Sequence, residues 1–334
     1  MNEQVKVFYD ADADLSCLAG KGVGIVGYGI QGRAQALNLR DAGVKVRVGN
    51  RKDEYVPAIR ADGFEAQSIE EVSRESDIVL LLIPDQAHAE VYSGQIEPRL
   101  RSGGALVVAH GYSLRFGSIK PRSDLDVMLL APRMPGKQIR EYYLRGSGVP
   151  AFVDVVRDAS GGAWPILLAL AKGMGFTRSG ALRVSLGEET EIDLFVEQFL
   201  VPTILRAIHL SFDELVAAGY EAVPALMELY ASGELGEVLL MAAKLGLYGT
   251  FQKNSSPTCQ FGIASNYSDA SESEVRQKIS RVIEQIRSGR FAAALETEGN
   301  AGYPRTNGLW DEVARSPLAE TERKLRQLIR GESG

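Results

Sequence analysis

"GIVGYGIQGRAQALNL", residues Gly24–Leu39, decides the fold. A short apolar run leads into Gly27, Gly29 and Gly32, and an amphipathic stretch follows at once. This G-x-G-x-x-G spacing between strand and helix suits a dinucleotide pyrophosphate. The first glycine permits a tight turn, the second lets phosphate approach the backbone, and the third lets the helix pack on the strand. Tyr28, Ile30 and Gln31 fill the turn and are read as cofactor-facing. The same alternation continues outward through "VKVRVG", "DIVLLLIP", "ALVVAH" and "DVMLLA", separated by helical stretches such as "QALNLRDAG" and "EEVSRES". Uninterrupted apolar strands between amphipathic helices predict an α/β unit with a doubly wound parallel sheet covered on both faces. From about Ala163 the apolar spacing is helical almost throughout. The predicted division is a Rossmann domain over residues 1–182 and an all-helical domain over 183–330.

The chain has 334 residues, 45% of them hydrophobic, which suits two domains with a substantial core. A net charge of −6, with no run of Lys/Arg longer than two, argues against nucleic acid or an anionic membrane as partner. Cys17 and Cys259 are too few for a disulfide framework or a thiolate metal site. The start, "MNEQVKVFYDADADLSCLAGKG", carries acids where a signal peptide would be apolar, and no apolar run approaches a membrane span. These features predict a cytoplasmic protein acting on a small molecule.

Two further stretches carry chemistry. In "VGNRKDEYVP", Asp53 and Glu54 can accept hydrogen bonds from a ribose 2′-hydroxyl and favour NAD(H) over NADP(H). Arg51 and Lys52 pull towards a 2′-phosphate, Arg51 can instead stack on adenine, and a solvated turn of mixed charge is the alternative. In "SLGEETEIDLFVEQFLVPTILRAI", residues Ser185–Ile208, Glu188, Glu189 and Glu191 are read as opposing the helix dipole. Asp193 and Glu197 share one helical face with apolar neighbours. Carboxylates in such a setting need a basic partner, a backbone donor or a metal, unless they form a solvated edge.

The motifs "VFYDADADLSCLAGKGVGIVGYGIQGRAQALNLRDAG", "LLIPDQAHAEVY", "VVAHGYSLRF", "APRMPGKQIREYYLRGSGVP", "EETEIDLFVEQ" and "RFAAALETEG" resemble the ketol-acid reductoisomerases, in particular their short class. That family moves an alkyl group within a 2-hydroxy-3-keto acid and reduces the resulting 2-keto acid with a nicotinamide hydride, using two Mg2+ ions. The resemblance implies metal ligation by Asp193 and Glu197 and an active-site role for His110. It also implies dinucleotide contacts from Ile83, Pro84 and Asp85, and places Gly136 near the nicotinamide. His88 and His209 have no such context and are read as structural. A knotted helical domain and a homodimer formed through it are likewise implied.

The sequence also departs from the family. Arg133 stands where the family has lysine, keeping the charge but suiting a substrate carboxylate better than a metal-bound water. After "LVAAGY" about eleven residues are read as missing. Glu228 is left as the counterpart of one family glutamate, Ser232 faces the other, and Ala243 stands for a substrate-binding serine. These departures predict an enzyme remodelled for a specialised 2,3-dihydroxy or 2-keto-3-hydroxy acid, with Mg2+-assisted hydride transfer at C2 coupled to rearrangement. Resemblance to a family branch that builds cyclopropanol groups in bacterial secondary metabolism implies that this rearrangement is ring closure with loss of a sulfonium. The alternatives are an ordinary ketol-acid reductoisomerase, with Glu234 or Glu237 supplying the missing glutamates, and a silent dinucleotide-binding protein.

Overall fold

A computed structural model describes residues 5–267 and 272–330, so residues 1–4 of the acidic start lie outside it. Six strands run parallel: β2 (Gly22–Val26), β3 (Lys45–Gly49), β4 (Ala66–Gln67), β5 (Ile78–Leu81), β6 (Ala105–Val108) and β7 (Asp126–Pro132). Their spatial order is β4-β3-β2-β5-β6-β7. The chain therefore reverses direction across the sheet between β2 and β5, which is where open α/β sheets bind ligands. β8 (Ala151–Arg157) extends the sheet antiparallel to β7. β9 (Ala181–Arg183) follows it in parallel, and β1 (Val7–Phe8) closes the edge antiparallel to β9. The sheet is thus mixed at one edge.

Both faces of the central strands are buried, which is why these runs are apolar without alternation. Along β5, Ile78 and Leu80 enter one core with Ile25, Leu39 and Met128, whereas Val79 and Leu81 enter the other with Val26, Tyr92 and Leu106. The covering helices are α1 (Ile30–Asp41), α2 (Val56–Ala61), α3 (Ile69–Glu75), α4 (Asp85–Val91), α5 (Tyr112–Arg115), α6 (Gly136–Leu144) and α7 (Ala163–Gly173). A capping box closes α3: Ser68 accepts from the Glu71 N–H and Glu71 accepts from the Ser68 N–H.

α8 (Leu186–Phe195) passes through a widened turn, Val196–Leu200, into α9 (Val201–Ala217). In that turn the Val201 N–H bonds back five residues to Val196, a π-type insertion that shifts the side chains beyond it around the axis. Residues 186–217 form one helix long and apolar enough, by length and composition, to cross a membrane. This corrects the expectation that no segment reaches that length. Charged and polar residues interrupt its apolar ones, so this helix is apolar only on average and contains no long unbroken apolar run.

The contacts divide the chain between Ile192 and Asp193, ten residues beyond the predicted boundary. The first turns of α8 belong to the sheet unit because Leu186, Glu189 and Thr190 are buried in it. The second unit is helical throughout its described residues and has a small core of its own. Phe212, Ala225, Leu226, Leu318 and Leu325 form its buried cluster.

Candidate active site

The dinucleotide turn is built from backbone close approaches. Gly27 sits at φ +96°, and a Cβ there would lie 2.5 Å from the Leu82 carbonyl oxygen. A Cβ on Gly32 would lie 2.0 Å from the Gly27 oxygen, so α1 packs directly on the turn. Gly29 is different, because nothing lies within 4 Å of where its Cβ would stand. Open space at the middle glycine, beside the start of α1, is what an approaching pyrophosphate requires. The side chains divide between ligand and core. Ile30 is 71% exposed beside the turn, whereas Tyr28 is buried and its hydroxyl donates to Asp62 at 2.9 Å. Tyr28 therefore lends the turn its backbone only. Gln31 is drawn inward, its amide donating to the Met134 carbonyl.

Gly136 proves to be a packing residue. Its Cβ would lie 1.9 Å from the Ile30 carbonyl oxygen, so the start of α6 rests against the start of α1. Beyond β3, Asn50, Arg51, Lys52 and Asp53 line a cleft of about 820 Å3 together with Arg60, Ser68 and Gln95. Asp53 accepts from Arg51 at 2.9 Å, from the Asn50 amide at 2.7 Å and from the Tyr55 N–H at 3.0 Å. Burial opposes its ionisation, yet these donors together hold its carboxyl below the usual range. Glu54 is exposed next to it.

His110 follows β6, at the end of the sheet where Gly27 follows β2 and Asp85 begins the helix after β5. Its Nδ1 lies 3.5 Å from Asp85 Oδ2. Ile83 contributes its carbonyl oxygen to the buried His88, and Pro84 is exposed at the start of α4. The next residue, Gly111, anchors the histidine loop. Its N–H donates to Glu189 Oε2 at 3.0 Å, and a Cβ on it would lie 2.2 Å from Thr190 Oγ1. Glu189 is fully buried, and its other oxygen accepts from the Arg133 guanidinium at 2.9 Å. Arg133 also stacks over Phe152. Asp154 caps α8 by accepting from the Leu186 N–H, and Arg115 pairs with Glu191 at 3.0 Å.

Glu189 is the functional residue that the sequence reading passed over. Four acids crowd the start of α8, and nothing in their spacing singles out the one facing the sheet. Had the helical phase of buried Leu186 and Thr190 been known, it would have done so. Arg133, expected as a catalytic group, is here a partner of that buried carboxylate.

Asp193 and Glu197 stand four and eight residues beyond Glu189 on the same helix. Asp193 is half-buried and Glu197 exposed, within the widened turn. Glu228 is exposed in a second widened turn, Met227–Ala231, and Ser232 follows four residues on. Among the described residues, no three His, Cys, Asp or Glu side chains gather into a metal-binding cluster. The Asp193–Glu197 pair nevertheless suits Mg2+, a hard ion held through one or two carboxylates while water and substrate oxygens complete its octahedron.

Two contrasts test this geometry. Gly136→Ala is expected to lower the melting temperature by several degrees, because backbone must shift, whereas Gly29→Ala leaves it unchanged and weakens dinucleotide binding at least about tenfold. Equal effects of the two substitutions on melting would refute the division between packing and ligand glycines. Glu189→Gln keeps the shape but removes the buried charge that faces Arg133, at an expected cost of about 2–3 kcal/mol in urea unfolding. An unchanged midpoint would mean that this pair does not hold the site.

Residues 17–180 match the family described as "Acetohydroxy acid isomeroreductase, NADPH-binding domain", and residues 186–330 match "Ketol-acid reductoisomerase, C-terminal domain". Two curated relatives, both "Ketol-acid reductoisomerase (NADP(+))", come from Pyrobaculum aerophilum and Pyrobaculum neutrophilum. Each is 38% identical over 328 residues, covering 98% of this chain and 99% of the relative. A solved NADH-preferring ketol-acid reductoisomerase from an uncultured archaeon superposes with a TM-score of 0.91 at 30% identity, covering 97% of this chain and 99% of that one. The chain belongs to the ketol-acid reductoisomerase family and is an NAD(P)-dependent oxidoreductase and isomerase of that type.

Proposed function

We propose that the protein is an ordinary ketol-acid reductoisomerase, converting a 2-hydroxy-3-keto acid such as 2-acetolactate to a 2,3-dihydroxy acid. The observation that carries this is full-length similarity to such enzymes at 38% identity. It is supported by a chain that keeps the dinucleotide turn, His110 and the Asp193–Glu197 pair. The ring-forming reading rested largely on a missing segment and on an arginine available to a substrate carboxylate. Against it, similarity runs over 98% of this chain and 99% of an ordinary family member, and Arg133 is engaged with Glu189.

In this reading the Gly27–Gly32 turn holds the pyrophosphate, and His110 holds or moves the substrate hydroxyl proton. Asp193 and Glu197 hold Mg2+, which when bound polarises the adjacent substrate oxygens. Asp53, kept ionised beside the ribose end, repels a 2′-phosphate, so NADH is the proposed reductant. Purified protein with Mg2+ should oxidise NADH in the presence of 2-acetolactate, with a higher kcat/KM than for NADPH. Asp193→Asn should cost at least about a hundredfold. Absence of acetolactate turnover would sink the reading, and a preference for NADPH would overturn the role given to Asp53.

We further infer a homodimer formed through the helical unit, with its interlocked family topology. Helix 186–217 leaves Leu200, Val201, Ile204, Leu205 and Leu210 40–55% exposed. A contiguous apolar surface of this kind is normally covered. A second copy is the proposed cover, and the protein acts in the cytoplasm. Sedimentation equilibrium without detergent should give twice the mass of the chain. A stable monomer, or a requirement for lipid, would exclude the dimer.

A further inference from the structure

His88 and Asp85 share a cluster with His110 that the reaction outlined above does not use. His88 is 3% exposed, and both its ring nitrogens are occupied. Nε2 lies 2.9 Å from the Ile83 carbonyl oxygen and Nδ1 lies 2.7 Å from Ser113 Oγ. A carbonyl oxygen only accepts, so Nε2 carries the proton. Burial pushes the ring's pKa down against the opposing pull of Asp85, so the ring is neutral and its Nδ1 accepts from the Ser113 hydroxyl. Asp85 Oδ1 is 3.5 Å from that bare Nδ1, and two acceptors cannot bond. The other oxygen, Oδ2, stands 3.5 Å from His110 Nδ1. That separation is long for a hydrogen bond, but contacts of this kind shorten once substrate closes the site.

We propose that Asp85 is a positioning residue for His110: its carboxylate accepts the His110 Nδ1 proton and leaves Nε2 to exchange a proton with the substrate, while His88 and Ser113 lock the start of α4 in place. When Nε2 takes the substrate proton, the imidazolium carries both protons, and the Asp85 charge lies against the Nδ1–H. Loss of that acceptor removes the interaction that favours the Nδ1–H form and shifts the balance towards the Nε2–H tautomer, which puts the lone pair on the wrong nitrogen. The inference rests on the reductoisomerase reading for what His110 does, but the tautomer can be read without turnover.

The test is 15N–1H correlation spectroscopy of the full chain labelled at histidine, with His110 assigned through His110→Gln. The wild type is expected to show His110 as Nδ1–H, and Asp85→Ala to convert it to Nε2–H. In the same variant kcat for acetolactate should fall about ten- to a hundredfold, with KM for substrate and dinucleotide within about threefold. His88→Gln can still donate to Ile83 and accept from Ser113, so the His110 tautomer should be unchanged in it. An Nε2–H ring in the wild type, an unaltered tautomer in Asp85→Ala, or a rise in dinucleotide KM without loss of kcat would overturn the proposal. A tautomer change in His88→Gln would do the same. If wild-type turnover is absent, the reductoisomerase reading fails and the tautomer alone decides this one.

Discussion

A fully buried carboxylate sets the terms for this site. Glu189 has no solvent to stabilise its charge, so the surrounding chain must supply donors in fixed positions. It takes one from the histidine loop, through the Gly111 N–H, and another from the end of β7, through Arg133. Each requirement restricts the sequence locally. Gly111 must lack a side chain because Thr190 stands where one would go. Arginine at 133 suits the role, since its guanidinium can hold a carboxylate while standing over the Phe152 ring. The start of α8 is thereby pinned, with Asp154 capping it from β8.

The cofactor end is governed by a different constraint, the contact of backbone with backbone. Gly32 against Gly27, and Gly136 against Ile30, bring two helix starts together without side chains between them. Such contacts leave little room for adjustment, so the turn is formed before any ligand arrives. Preformed N–H groups cost nothing to organise on binding, which is how a short loop can hold a doubly charged pyrophosphate.

Much of this was legible in the sequence, and the exceptions have physical causes. The parallel strands announced themselves because burial on both faces removes polar residues from a strand. The antiparallel edge did not, since β8, AFVDVVR, carries Asp154 and Arg157 on opposite faces and is mostly only partly buried, so it lacks the uninterrupted apolar run of the central strands. Tyr28 looked like a ligand residue because the turn is named by its glycines, whereas its ring points into the core. Glu189 was hidden among chemically identical neighbours, because which acid of a helix faces inward depends on a rotation that only tertiary packing fixes.

The helical unit carries more apolar surface than its own core uses. Its buried cluster is built around five residues, yet apolar side chains continue along α9 well beyond them. An isolated helix gains little from propensity alone, and helices of this length owe their stability to a packed apolar face. Helix 186–217 is apolar enough on average to pass for a membrane span, yet its first turns carry Glu189, buried and paired with Arg133. The exposed apolar residues that follow along α9 are surface that the small core of the helical unit does not use.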